Sequence, residues 1–386
     1  MSSIRLGEVG KISMCKRILK SQTNEFSGIP FYKISTFGGT PTVYIDEKIY
    51  REYKEKYSYP KKGDILISAA GTIGKTVIFD GEDSYFQDSN IVWIENDESK
   101  VTNQFLYYFL QTNPFITTNG STIKRLYNDN LRDTKIPNVP SIQQQNQITD
   151  ILGALDKKIQ TNNQINQELE TMAKTLYDYW FVQFDFSDQN GNPYKSSGGK
   201  MVYHPELKRE IPEGWGVEKL SHFLTIKNGK DHKHLQDGKF AVYGSGGIMR
   251  TVTDYLYSGE SILFPRKGTL NNVMYVNEKF WTVDTMFYSE VNKNNSALYV
   301  FYSVKDIDFN KLNTGTGVPS MTSSILYDLS IIVPEDNILE KFNTVVKRNY
   351  ETIKLNNIQN QELIQLRDWL LPILMNGQVK VQDFTI

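Results

Sequence analysis

The sequence predicts an α+β protein in which two β-rich domains are separated by two long α-helices that form an antiparallel coiled coil, as a pseudo-twofold internal repeat. Three observations predict this fold. Similar segments recur about 194 residues apart, short β-type runs alternate with turns in both halves, and two long segments carry helical heptads. A duplicated unit of this kind is typical of a molecule that binds a target with two similar parts.

The clearest repeat lies in two asparagine-rich helical segments. Seven residues of the first segment reappear at the same spacing, 194 residues later, in the second. The matching residues are Ile159, Asn162, Asn163, Asn166, Gln167, Glu168 and Leu169, and then Ile353, Asn356, Asn357, Asn360, Gln361, Glu362 and Leu363. Glycine-led segments also correspond, at Gly63 and Gly259 and again at Gly71 and Gly268. We therefore predict one scaffold in both halves, with intervening stretches that vary.

Composition limits the class of protein. A chain of 386 residues suits two to three domains. The single cysteine, Cys15, excludes an internal disulfide and a cysteine-based metal site, which fits a cytoplasmic location. No apolar stretch approaches the ~20 residues that a membrane helix requires, so no membrane contact is expected. The net charge of −1 does not by itself indicate nucleic-acid binding, which would need basic residues on one face or a partner that supplies phosphate contacts.

The chain divides by pattern into six parts. Short β-type runs punctuated by glycine and aspartate mark the two domains, heptads mark the helices, and a stretch rich in Gly, Ser and Asn indicates a linker. The predicted parts are the first target-recognition domain (1–140), a central helical spacer (141–184), a linker (185–213), the second domain (214–334), a C-terminal helical spacer (335–378) and a tail (379–386).

Both helical segments show a coiled-coil seam whose residues alternate steps of four and three. The first seam comprises Ile148, Leu152, Leu155, Ile159, Asn162, Asn166, Leu169, Ala173, Leu176 and Trp180. The second comprises Phe342, Val346, Asn349, Ile353, Asn356, Asn360, Leu363, Arg367, Leu370 and Leu374. A buried asparagine weakens packing but disfavours every register in which it faces an apolar side chain. Antiparallel pairing would place Asn162 near Asn360 and Asn166 near Asn356; alternatively, these asparagines face solvent or another subunit.

Two motifs resemble a phosphate-binding loop and a metal site, but each lacks a feature that such a site requires. Residues 69–76 satisfy a loose phosphate-loop pattern, but the following residues predict a strand, whereas a phosphate loop needs a helix there. His222, His232 and His234 lack a suitably spaced carboxylate or cysteine for a metal site. The sequence therefore predicts no catalytic residues and no metal ligands.

Candidate DNA contacts lie on equivalent loops of the two halves. Arg and Lys can bind guanine, and Asn can bind adenine, in the major groove, although ordinary turns favour many of the same residues. The first-half candidates are Lys33, Ser68, Thr72, Lys75, Asn119, Ser121, Thr122 and Lys124. The second-half candidates are Tyr243, Ser245, Arg250, Arg266, Lys267, Asn271, Asn272, Thr314, Thr316 and Ser320. Basic residues that alternate with tyrosines over residues 48–62 indicate either a phosphate-contacting surface or a charged, exposed helix.

The centre of the chain resembles a known family. Phe184-Asp185-Phe186, the segment Gly191–Gly199 and Ile211-Pro212-Glu213-Gly214-Trp215 are similar to the junction in specificity subunits of type I restriction–modification systems. The turn Tyr243–Gly247 and the order of domain and then helix are similar too. The resemblance covers essentially the whole chain.

The resemblance implies a non-catalytic subunit in which each domain recognises one half of a bipartite site in double-stranded DNA. The helices would dock two methyltransferase (modification) subunits, and motor-nuclease (restriction) subunits would join the full complex. This chain would bind no cofactor, because S-adenosylmethionine, ATP and Mg²⁺ would be bound by the partners. Two alternatives stay open: a specificity subunit of a methyltransferase-only complex, and a protein-interaction scaffold that does not bind DNA.

Overall fold

The computed structural model describes residues 3–115, 125–315 and 317–378. Five candidate residues, Asn119, Ser121, Thr122, Lys124 and Thr316, and the tail 379–386 therefore lie outside the described residues. The chain forms two compact units: Met1–Thr161 with Gln359–Ile386, and Asn162–Ile358. Each unit contains one β-rich domain and part of both long helices.

The elements of the first domain precede the central helix. They are β1 (Ile4–Arg5), α1 (Leu6–Val9), β2 (Gly10–Ser13), β3 (Thr23–Asn24), β4 (Ile29–Tyr32), β5 (Tyr44–Ile45), α2 (Glu47–Lys56), β6 (Ile65–Ser68), β7 (Thr76–Ile78), β8 (Tyr85–Phe86), β9 (Ile91–Asn96), α3 (Asn103–Gln111), α4 (Asn128–Asp133) and β10 (Lys135–Ile136). The central helix α5 (Ile142–Tyr177) follows and ends in a π-helical turn, Asp178–Val182.

The elements of the second domain are β11 (Met201–His204), β12 (Arg209–Pro212), β13 (Gly216–Lys219), α6 (Leu220–Phe223), β14 (Leu224–Asn228), β15 (Asp237–Gly244), β16 (Gly247–Val252), β17 (Tyr257–Pro265), β18 (Met274–Thr282), β19 (Met286–Val291), α7 (Ala297–Lys305), α8 (Ser323–Tyr327) and β20 (Ser330–Val333). The C-terminal helix α9 (Asp336–Met375) follows.

The strand order repeats in the two domains. A sheet ordered β2-β9-β6-β7 in the first domain corresponds to β14-β19-β17-β18 in the second, and the pair β1–β10 corresponds to β13–β20. The same backbone hydrogen bond opens both short helices: Leu6 N donates to Thr134 O at 2.9 Å, and Leu220 N donates to Leu329 O at 2.8 Å. The predicted α+β class and the internal repeat are confirmed.

The domains differ in what is added to the common sheet. Between β2 and β6 the first domain inserts α2 and most of a second sheet, ordered β3-β5-β4-β8, which has a separate core around Trp93 and Tyr85. The second domain instead extends the common sheet with β15 and β16. The first half is longer before Gly63 than the second half is before Gly259 because it contains this inserted sheet.

The segment 185–213, predicted as a linker, is a folded part of the second unit. The Phe186 ring stacks between Tyr194 at 4.8 Å and Trp215 at 4.9 Å. The Asp185 carboxylate accepts hydrogen bonds from the Ser196 backbone amide (2.7 Å) and hydroxyl (2.6 Å). The polar composition of this stretch predicted a linker, but its aromatic residues pack against one another and against Trp215.

The two long helices run antiparallel within each unit, and every predicted seam residue is buried or half-buried. In the first unit Arg367 Nη1 donates to Asp156 Oδ1 at 2.9 Å. In the second unit Asn356 Nδ2 donates to Asn166 Oδ1 at 2.8 Å, and Asn166 Nδ2 donates to Asn357 Oδ1 at 2.9 Å. The structure thus brings Asn166 and Asn356 together. Asn162, in the second unit, and Asn360, in the first, are also buried.

Asn166→Ala should lower the free energy of unfolding by about 1–2 kcal/mol, because it leaves the half-buried amide of Asn356 and the amide of Asn357 without the Asn166 side chain as partner. The better helix propensity of alanine offsets only about 0.5 kcal/mol of that loss. Denaturant unfolding followed by circular dichroism measures the change. Gln164→Ala, at an exposed position of the same helix, is the control and should leave stability unchanged or slightly raised. Equal effects of the two substitutions would contradict a stabilising polar layer.

Candidate nucleic-acid interface

In the first domain three loops meet at one end of the sheet. They are the β6–β7 loop, the loop that precedes β9 and the segment that precedes α4. Ala69, the first residue of the β6–β7 loop, joins them through its backbone. Its N–H donates to Asn90 O at 2.7 Å, and its carbonyl accepts from Leu126 N at 2.8 Å.

The second domain repeats this arrangement with different side chains. Arg266 N donates to Thr285 O at 2.8 Å, and Arg266 O accepts from Met321 N at 2.9 Å. The three loops are the β17–β18 loop, the loop that precedes β19 and the segment that precedes α8. Residues distant in the sequence therefore form one surface in each domain, held by equivalent backbone hydrogen bonds.

A fourth segment joins each surface, and it comes from the parts that do not repeat. In the first domain Lys75 Nζ donates to Phe37 O at 2.6 Å, which ties the β6–β7 loop to the loop after β4. In the second domain Asn272 Nδ2 donates to Ser245 O at 2.8 Å, which ties the β17–β18 loop to the β15–β16 turn. The two surfaces therefore share three loops, which equivalent backbone hydrogen bonds hold together as a common frame. They differ in the fourth segment, which lies at the edge of each surface.

Most of the described candidate residues lie on these surfaces. The exposed ones are Thr72, Lys75, Arg266, Lys267, Asn271 and Thr314, and the half-buried ones are Lys33, Ser245, Asn272 and Ser320. Asn271 is oriented by a hydrogen bond from its Nδ2 to Asp308 Oδ1 at 3.1 Å. The Arg266 guanidinium lies 5.9 Å from the centroid of the Phe287 ring, a cation–π contact that supports an exposed arginine.

Three predicted contact residues are built into the domain instead. Ser68 is buried, and its hydroxyl donates to Thr72 O and accepts from Lys75 N at 2.9 Å. The Tyr243 hydroxyl donates to Glu278 at 2.8 Å, and burial raises the pKa of Tyr243. Arg250 Nη2 donates to Leu235 O at 2.6 Å and pairs with Asp237 at 3.1 Å. These three side chains are engaged within their own domain, so they are less available for contact with DNA than the sequence predicted.

The basic and aromatic stretch over residues 48–62 corresponds to the charged-helix alternative. Much of it lies in α2, where Lys56 pairs with Glu52 at 3.0 Å. Lys54 pairs with Asp83 at 3.1 Å, and the Tyr50 hydroxyl and the Lys54 ammonium lower the pKa of Asp83 by hydrogen bonding. Because neighbouring carboxylates neutralise these cations, the helix is a weaker phosphate-binding surface than its lysine content suggests.

Sequence reasoning missed several residues of these surfaces. Arg125 Nη2 donates to Ser89 O at 2.9 Å and so joins the loops before α4 and before β9. Ile248 and Met249 are exposed beside the β15–β16 turn. The left-handed backbone of Ser89 (φ +54°) and the register shift near Met249 arise only in the folded chain. No sequence signal could therefore have identified these surface residues.

The phosphate-loop-like stretch 69–76 is followed by strand β7, not by a helix. In the parts of the chain that the structure describes, no three His, Cys, Asp or Glu side chains cluster as ligands for a metal ion. None of the described helices has the length and apolar character needed to cross a lipid bilayer. Burial raises the pKa of the Cys15 thiol to about 12, so it stays protonated.

Residues 1–171 and 212–365 each match the family described as type I restriction modification DNA specificity domain. The chain belongs to this family. Each match contains one β-rich domain with its surface of converging loops, together with most of the long helix that follows that domain. The resemblance seen in the junction residues is confirmed, and the family favours DNA recognition over the protein-scaffold alternative.

Individual relatives agree with the family. A putative type I restriction enzyme specificity subunit from Haemophilus influenzae is 54% identical over 180 residues, so the match spans about half of each protein, 46% of this chain and 46% of the relative. The type I restriction enzyme MjaIX specificity subunit from Methanocaldococcus jannaschii is 28% identical over 83% of this chain and 79% of its own. The crystal structure of the type I restriction–modification S subunit from M. genitalium shares the fold, with a TM-score of 0.64 at 15% identity over 100% of this chain and 96% of that one.

Gly268→Ala should disturb the surface of the second domain. Gly268 has a left-handed backbone (φ +93°), and an added Cβ would lie 2.8 Å from Ser245 Oγ. We expect the free energy of unfolding to fall by about 1–2 kcal/mol and the β17–β18 loop to move away from the β15–β16 turn. Denaturant unfolding and DNA-binding selectivity measure the two effects. Gly246→Ala is the control, since a Cβ there meets no atom within 4 Å, and equal behaviour of the two variants would contradict the role of Gly268.

Proposed function

We propose that this chain is the DNA sequence-specificity subunit of a type I restriction–modification complex, and that each β-rich domain recognises one half of a bipartite site in double-stranded DNA. One observation carries the proposal. The same backbone frame of three loops occurs once in each domain, yet the residues at the equivalent positions are Ala69-Ala70 in the first domain and Arg266-Lys267 in the second. Two similar frames with different side chains suit an asymmetric, two-part target.

The chemistry of the second surface fits base recognition. Exposed Arg266 and Lys267 can form hydrogen bonds with guanine O6 and N7, and Asn271 and Asn272 carry the amide that suits adenine. The first surface presents Thr72 and Lys75, and the Lys75 ammonium donates a hydrogen bond to Phe37 O. The net charge of −1 gives the chain no general attraction for phosphates. We therefore infer that partner subunits supply many of the phosphate contacts.

We further propose that the chain is non-catalytic and works in the cytoplasm beside its partners. S-adenosylmethionine would be bound by methyltransferase subunits, and ATP and Mg²⁺ by motor-nuclease subunits. A methyltransferase-only complex is the alternative, and it differs only in the absence of the nuclease subunits. ATP-dependent cleavage of unmodified target DNA by the reconstituted complex separates the two.

The long helices offer surfaces on which two copies of a methyltransferase subunit could dock. Ile151, Ile165 and Met172 are exposed on α5 at intervals of 14 and 7 residues, so they share one side of the helix next to the seam. Two of these positions recur 194 residues later, where Val345 and Leu366 are also exposed. An apolar side chain beside a coiled-coil seam is the kind of surface that another helix buries.

These equivalent positions divide evenly between the units. Ile151 and Leu366 belong to the first unit, and Met172 and Val345 belong to the second. Ile151 is equivalent to Val345, and Met172 is equivalent to Leu366. Each unit therefore carries one residue of each equivalent pair. Two similar apolar surfaces suit two copies of one partner, since identical subunits bind to equivalent patches.

Replacing residues 1–140 with the first domain of another family member should change one half of the recognised site and leave the other half intact. Each half-site is expected to depend on one domain because each surface is built within one unit. Methylome mapping of cells that express the chimera with the methyltransferase partner measures the result, and the unmodified chain is the control. A change in both halves, or a methylation motif without two parts, would refute the proposal.

Met172→Asp and Leu366→Asp should each release one copy of the methyltransferase subunit, and the double variant should release both. A carboxylate at either position would be desolvated by the docked partner, which is unfavourable. Native mass spectrometry of the purified complex measures the stoichiometry. Thr171→Asp adds the same charge at an adjacent exposed position and should retain two copies. Two retained copies in the double variant would rule out this docking surface.

A further inference from the structure

The β15–β16 hairpin ends in two adjacent exposed apolar side chains. Strand β16 is the edge of the six-stranded sheet, so one of its sides has no neighbouring strand in that sheet. Ile248 is 63% exposed and Met249 is 61% exposed. The hairpin belongs to the part of the second domain that has no counterpart in the repeated scaffold.

A β-bulge explains why both side chains face outward. Tyr243 pairs with Ile248 and Val242 pairs with Arg250, so Met249 is an extra residue in β16. Successive side chains of a regular strand point to opposite faces, and a bulge changes this alternation locally. The Met249 side chain lies over Gly244, where an added Cβ would be 2.5 Å from the Met249 sulfur. The fold therefore directs an apolar side chain along the turn, towards the loops of the recognition surface.

The same turn is in contact with the proposed DNA-binding loop. Ser245 O accepts the hydrogen bond from Asn272, and Ser245 Oγ lies 2.8 Å from the position of a Cβ on Gly268. Gly268 follows the exposed cations Arg266 and Lys267 directly in the chain. The turn that leads into the apolar pair therefore contacts a loop that carries two exposed cations, and a polyanion with an apolar group at its surface would suit both.

The DNA major groove offers such a group. It admits a two-stranded β-ribbon, and the thymine 5-methyl is the apolar group that base edges present there. Methionine is flexible and polarisable, so it adapts well to a small apolar contact. A protein partner would also bury apolar side chains, but the cations on the adjoining loop favour nucleic acid.

We propose that Ile248 and Met249 contact the 5-methyl group of a thymine in the half-site recognised by the second domain. This inference rests on the proposed function and adds a base contact that depends on the bulge. It assigns to an apolar pair the discrimination of thymine from bases that lack the methyl group.

Replacing each thymine of that half-site by uracil removes only the methyl group and tests the contact directly. Fluorescence anisotropy measures the affinity of the duplexes for the complex of this chain with its methyltransferase partner. At one position uracil should weaken binding by about fourfold, which corresponds to the burial of one methyl group. Met249→Ala and, separately, Ile248→Ala should weaken binding to the thymine duplex and reduce or abolish the difference between thymine and uracil.

Val202→Ala is the matched control, because Val202 is a 46% exposed apolar residue on β11 of the same unit. It should keep the full preference for thymine. The inference is overturned by a half-site without thymine, by equal affinity for thymine and uracil at every position, or by Ala variants that retain the preference. A complex that binds no bipartite site at all would instead refute the proposed function.

Discussion

The proposed recognition surface of each domain depends on the backbone of one residue, Ala69 in the first domain and Arg266 in the second. The N–H of this residue holds the loop before one strand, and its carbonyl holds the segment before a short helix. Backbone groups form these bonds whatever the side chain is. The surface can therefore change its chemistry from alanine to arginine without loss of its frame, which is a physical basis for specificity that varies while the fold is kept.

The long helices α5 and α9 have two kinds of surface: the seam through which they pair, and exposed apolar positions beside that seam. The seam pairs α5 with α9 through apolar layers and through the amides of Asn166, Asn356 and Asn357. The exposed positions Met172 and Leu366 lie beside the seam and are available to a partner. Amide pairs penalise a shift in register. A shift would also move the exposed apolar positions, so the polar layer would preserve the proposed docking surface as well as the pairing.

The net charge does not show how the charged residues are distributed over the two domains. The lysines of α2 are largely matched by carboxylates on the same helix or next to it, whereas Arg266 and Lys267 are exposed on the loops of the second domain. Few cations on the described recognition loops limit non-specific attraction to DNA. In the proposed complex, selectivity would therefore come from this chain and much of the affinity from its partners.

The sequence by itself determined the repeat, the β-rich and helical divisions and the residues of the helical seam, because these follow from periodicity and from spacing between local signals. It also placed candidate residues in the β6–β7 and β17–β18 loops. Only the tertiary structure decided which loop residues face outward. Ser68 and Tyr243 have suitable chemistry but are buried, and the half-buried Arg250 is held by Leu235 O and the Asp237 carboxylate. The folded junction around Phe186 and the bulge at Met249 likewise depend on contacts between residues that the linear pattern does not connect.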